Sequence, residues 1–114
     1  MTRINTAADP LGTDAAVLVF ELETQQFALP LRRVQRVLRS VAITPLPGAP
    51  SIVLGVVDIA GSVLPVIDMR ARFGCPARAV HPSDQLVLAH TDRRSVALLV
   101  DATAGVVVPA LPLA

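Results

Sequence analysis

At 114 residues and 12.0 kDa the chain is the size of one domain, long enough to bury a core without disulfide or metal staples. A content of 53% hydrophobic and 17% charged residues, with mean hydropathy +0.60, excludes intrinsic disorder. Lysine is absent, and ten arginines against nine acids leave a net charge of +1, too little for a dedicated nucleic-acid or anionic-membrane binder.

Cys75 is the single cysteine, which excludes an intramolecular disulfide and suits a reducing cytoplasm. The start, MTRINTAADPLGTDA, is polar and has no apolar core of a signal peptide. The longest apolar stretches, 51–67 and 96–114, are interrupted by Asp58 and Pro65 and by Asp101, Pro109 and Pro112. An ionised Asp at mid-bilayer costs about 2.5–3.5 kcal/mol, and both stretches are rich in strand-forming Val and Ile. The expectation is a soluble cytoplasmic protein with no direct membrane insertion.

In chain order, residues 1–14 read as a flexible polar leader, followed by a domain over 15–114. Val17–Glu23 alternates apolar and polar positions, as a half-buried strand does, and 24–26 turns it into a returning strand over Phe27–Pro30. Leu31, Val34, Val37 and Leu38 follow at helical spacing with Arg32, Arg33, Arg36 and Arg39 facing elsewhere, which predicts a short amphipathic helix. Pro45, Pro47, Gly48 and Pro50 make 41–50 an extended connection. Strands over 51–57 and 62–67 flank a turn at Asp58–Gly61. Asp68 caps a short helix running to Phe73 and pairs with Arg72 at i,i+4. After a loop over 74–84, Gln85–His90 and Ser95–Val100 form a third hairpin, and 105–108 is a last strand. The fold class is therefore all-β with short helices, a barrel or sandwich rather than a parallel α/β sheet.

Candidate chemistry is sparse. Asp58, Asp68 and Asp101 lie beside apolar residues, but a turn, a helix cap and a strand end account for them better than acid–base work does. Cys75, His81 and His90 are too few and too irregularly spaced for a structural zinc site, and no glycine-rich phosphate loop or GxSxG elbow occurs. The expectation is no enzyme, no catalytic residue, no metal and no cofactor. The Arg32–Arg39 cluster reads either as a contact for acidic partners or phosphates or as a solvated face. With Phe20, Phe27 and Phe73 but no Tyr or Trp, stacking platforms for bases are missing, so no nucleic acid is expected. The apolar content exceeds what one small core requires and points to protein–protein contact.

The segments VFELETQQFALPLRRVQRVLR, ITPLPGAPSIVLGVVDIAGSVLPVIDMRARFG, QLVLAH and SVALLVDATAGVV, in this order, resemble the CheW-like domain of bacterial chemotaxis. The resemblance spans about Val17 to Val108. It implies two small SH3-like β barrels that share an apolar core. It also implies a non-catalytic adaptor that links a CheA-type histidine kinase to the cytoplasmic tip of a chemoreceptor. By the family's pattern, the receptor side involves Val34, Arg36, Ile59, Ala60, Gly61 and Leu86. Three departures stand out. The family's domain continues well past VDATAGVV, which implies an incomplete second barrel and a homo-oligomer joined at Val106–Val108 and Leu111. An acidic residue is frequent where Arg36 stands, and an arginine is common where Ala60 stands, which puts the choice of receptor in question. The alternative reading within the resemblance is a truncated CheW-like module acting as a dimerisation unit or competitor. A small enzyme built on Cys75 and a histidine is the alternative from another class.

Overall fold

The computed structural model describes residues 16–39 and 41–109. The expected leader, and Leu111 with its neighbours, lie outside the described residues. β1 (Val17–Leu22) buries Leu18, Phe20 and Leu22 by alternation, with Val17 buried at its start as well. It returns as β2 (Gln25–Pro30) through a two-residue turn in which Glu23 adopts φ 58°.

The predicted helix over 31–38 is a correction: a 3-10 turn (Leu31–Arg33) leads into β3 (Val34–Arg39). The helical spacing has another cause. A bulge between Val34 and Arg36 inserts one extra residue into the ladder with β6, so Val34 and Val37 fall on one face and Leu38 on the other. A bulged strand and a helix turn both place residues three apart on one side. The β-branched valines favour the strand.

β4 (Val53–Ile59) and β5 (Ser62–Asp68) are joined by Ala60 and Gly61, at φ 52° and 88°, with the Asp58 carboxylate accepting the Gly61 N–H at 2.9 Å. Positive φ at both central residues matches the twist of the flanking strands. Asp68 caps α1 (Met69–Arg72) by accepting from the N–H groups of Arg70 and Ala71 at 3.0 and 3.3 Å. The Asp68–Arg72 pair is not among the ion pairs of the described residues. β6 (Gln85–His90) and β7 (Ser95–Val100) form the expected hairpin, and β8 (Ala102–Val107) starts three residues earlier than the sequence suggested.

The eight strands form a three-stranded sheet, β2-β1-β8, and a five-stranded sheet, β3-β6-β7-β5-β4, in which β5 and β7 are the one parallel pair. The expected two-unit all-β architecture is thus present, the smaller unit with three strands among the described residues. β6 is buried on both faces. Leu86 and Leu88 join Val57, Val66, Ala97 and Leu99 on one side, while Val87 joins Leu18, Phe20, Leu22 and Val100 between the sheets. Phe20, Phe27 and Phe73 stack in a row, with centroids 5.6 and 4.6 Å apart, and pin the end of α1 to the small sheet.

Candidate functional site

The sequence left six residues on three segments far apart in the chain: Val34 and Arg36, Ile59 to Gly61, and Leu86. The fold brings three of them to one place. Arg36 of β3, Ile59 of β4 and Ala60 of its turn line a hollow of about 350 Å³, together with Ser62, Leu64, Leu88 and Ser95. β3 and β4 are opposite edges of the five-stranded sheet, so a hollow lined from both requires the sheet to curl towards closure. Gln35 fixes this edge by donating to the Ser95 hydroxyl at 3.3 Å. Arg36 pairs in register with Leu88, which aims its side chain over the Leu88 face, and it is exposed. Its lining mixes apolar Ile59, Ala60, Leu64 and Leu88 with polar Gln35, Arg36, Ser62 and Ser95, an arrangement suited to holding another protein's side chain.

The other three candidates separate. Gly61 is exposed beside Ala60 on the turn. Val34 points to the opposite face, where it packs against the cluster between the sheets. Leu86 is a correction: at 0% exposure it is a core residue, and presenting it to a partner would forfeit about 2 kcal/mol of burial. Its register partner Leu38 shares that face, so Leu86 shapes the hollow from below at most.

A partly buried ion-pair network centred on Arg70 ties the two sheets together, and no sequence signal announced it. The Arg70 guanidinium, with 8% of its side chain exposed, donates to Asp101 at 2.8 Å, to the Pro76 carbonyl at 2.7 Å and to Glu23. Arg78 donates to Asp84 at 2.8 Å and to Asp101 at 2.9 Å. Asp101 also accepts the N–H of Glu23 at 2.8 Å, which holds the left-handed turn between β1 and β2. Burial works against the Arg70 charge, but Glu23 and Asp101 outweigh it and raise its pKa. Burial likewise pushes Asp84 up, yet the Arg78 fork and the His81 N–H hold it below the usual carboxylate range. The ion pairs from Arg70 to Glu23 and Asp101 and from Arg78 to Asp101 join residues 23 to 47 apart along the chain, and the Glu23 N–H bond to Asp101 spans 78, so only the fold could reveal them.

The remaining candidates take structural places. Asp58, Asp68 and Asp101 are the turn, cap and strand-end residues expected of them. Cys75 is half-buried against the cluster between the sheets, and the His81 ring contacts the Ser83 hydroxyl at 2.8 Å. No group of three or more His, Cys, Asp or Glu able to hold a metal occurs among the described residues.

The CheW-like domain family matches residues 16–110. The chain belongs to the CheW-like domain family. Among its relatives, the chemotaxis protein CheW of Rhizobium meliloti is 33% identical over 90 residues, covering 79% of this chain and 58% of that protein. A probable chemotaxis protein CheW of Rhizobium etli is 30% identical, covering 82% of this chain and 60% of that protein. The crystal structure of the scaffolding protein TtCheW from Thermoanaerobacter tengcongensis superposes with a TM-score of 0.77 at 28% identity, over 82% of this chain and 64% of that one. The chain therefore spans about three fifths of the length of these CheW relatives. No helix among the described residues is long and apolar enough to cross a membrane.

Proposed function

We propose that this CheW-like domain is a non-catalytic cytoplasmic adaptor that couples a chemoreceptor to a CheA-type histidine kinase. The observation that carries the reading is the convergence of Arg36, Ile59 and Ala60 on one hollow of mixed polar and apolar lining between the two edges of the large sheet. Gly61 fixes the turn that presents Ala60, and Val34 sets the position of β3 from the opposite face. In this reading the hollow receives an apolar side chain from the receptor tip. Arg36, where the family's pattern implies an acid, pairs with a carboxylate of that receptor. The test is binding of a purified receptor-tip fragment and of the kinase to wild type and to Arg36→Glu. Selective loss of the receptor with retention of the kinase supports the assignment. Loss of both, or of neither, in a folded variant contradicts it.

A second copy of the chain is a further partner in this proposal. β8 pairs with β1 alone among the described residues, and Val106, Val107 and Val108 are 55%, 45% and 57% exposed. An open edge with apolar side chains is a template for strand pairing between chains. The competing role, a dimerisation unit or competitor, predicts self-association and receptor binding with no recruitment of the kinase.

A further inference from the structure

The bulge in β3 decides which side chains reach the Arg36 hollow. On β6, Val87 lies in the cluster between the sheets, and alternation puts Ala89 on the same face, with Leu88 between them pointing the other way. On β3 their register partners, Val37 and Val34, pack against that same cluster, but two residues lie between them, Gln35 and Arg36. Two residues therefore oppose Leu88, and both line the hollow. A ladder without the bulge would pair Arg36 with Val87 and drive an unpaired guanidinium into the cluster. The packing of Val34 and Val37 thus demands one extra residue here.

That packing does not choose the extra residue. With Val34 opposite Ala89 and Val37 opposite Val87, either Gln35 or Arg36 can stand opposite Leu88 while the other bulges out. Arg36 takes the place. Arg36 is exposed and forms no ion pair among the described residues that would hold it there. Gln35 does have an anchor. Its carboxamide reaches across β6 and donates to the Ser95 hydroxyl of β7 at 3.3 Å. Ser95 is the first residue of β7, opposite His90, where hydrogen bonds between Thr91 and Arg94 close the turn from β6 and fix its position.

We infer that Gln35 is a positioning residue: its hydrogen bond to Ser95 selects it as the extra residue of the bulge and so keeps Arg36 in register with Leu88, over the hollow. Without that bond the bulge moves between residues 35 and 36, which divides Arg36 between two placements and dilutes the one competent to bind. A single hydrogen bond of this kind biases such an equilibrium about two- to tenfold. The consequence for receptor binding rests on the coupling role proposed above; the positioning itself does not.

The test reads the register of β3 in the free chain and then the binding. Cross-strand nuclear Overhauser contacts from the Leu88 backbone should be strongest at Arg36 in wild type. In Gln35→Ala and in Ser95→Ala they should divide between positions 35 and 36, whereas Ser95→Thr, which keeps the hydroxyl, should retain the wild-type pattern. The double variant should lose no more than either single one, as two residues acting through one bond do. A receptor-tip fragment should bind Gln35→Ala about two- to tenfold more weakly, with kinase binding unchanged. If one alanine variant does not fold, the other decides. Unchanged contacts in both alanine variants overturn the inference, as do losses that add in the double variant. A divided register, with receptor binding untouched by Gln35→Ala and by Arg36→Glu alike, upholds the positioning and contradicts the coupling role instead.

Discussion

A Cβ placed on Gly55 would overlap the carbonyl oxygen of Thr44 and come within 2.9 Å of the Pro45 Cα. Both neighbours are backbone, and Thr44 is held there by reciprocal hydrogen bonds with Val56 at 2.9 Å, so neither can yield cheaply. Gly55→Ala is expected to cost about 2–4 kcal/mol, read as a large drop in melting temperature. Gly61 has φ 88° but open space where a Cβ would go, so Gly61→Val should cost only the backbone strain, about 1–2 kcal/mol. The order of the two melting temperatures checks the distinction. Gly61 was legible in the sequence because two Val-rich segments flank its turn. Gly55 was not, since its constraint is a segment eleven residues away that crosses β4 at a single bridge. At Arg36, an exposed strand position, Arg36→Glu should change stability by no more than about 0.5 kcal/mol while altering receptor binding. Thermal melting run beside the binding assay separates the two effects.

At the scale of elements, hairpins were legible and the links between them were not. Alternation and turn chemistry marked β1–β2, β4–β5 and β6–β7 because both act over a few residues. β3 was misread because one bulge converts a strand's period into spacings of three, and nothing in 31–39 reveals the bulge without its partner β6. The ion pairs between sheets join residues whose proximity is set by packing alone. Asp101 contacts both Arg70 and Arg78 and accepts the Glu23 N–H, so Asp101→Ala should destabilise by about 2–3 kcal/mol in chemical unfolding. Asp84 supplies the pH dependence. Its folded pKa is depressed, so its contribution is complete above the unfolded carboxylate value, about 4, and is lost as pH falls through the folded value. Asp84→Asn should therefore lower stability at neutral pH and flatten the acid limb of a melting-temperature profile. An unchanged acid limb would place the stabilising charge elsewhere.

Across the whole molecule, two sheets enclose one interlayer cluster, and β6 carries a second on its other face. The order of sequence segments was enough to identify the family, because the match runs through nearly every strand. Where the candidate site lies could not be read from the same order. Its residues come from opposite edges of a curled sheet, and two of the six turned inward for reasons of register. The exposed Val106–Val108 edge predicts self-association, which light scattering at micromolar concentration would register as at least a dimer. A concentration-independent monomer would mean that the edge is covered.

The central proposal, coupling through the Arg36 hollow, is tested most directly by sedimentation of the chain mixed with a CheA-type kinase and a receptor-tip fragment. Wild type should bring all three into one complex, and Arg36→Glu should retain the kinase while releasing the receptor. A folded chain that sediments apart from both partners would contradict the account.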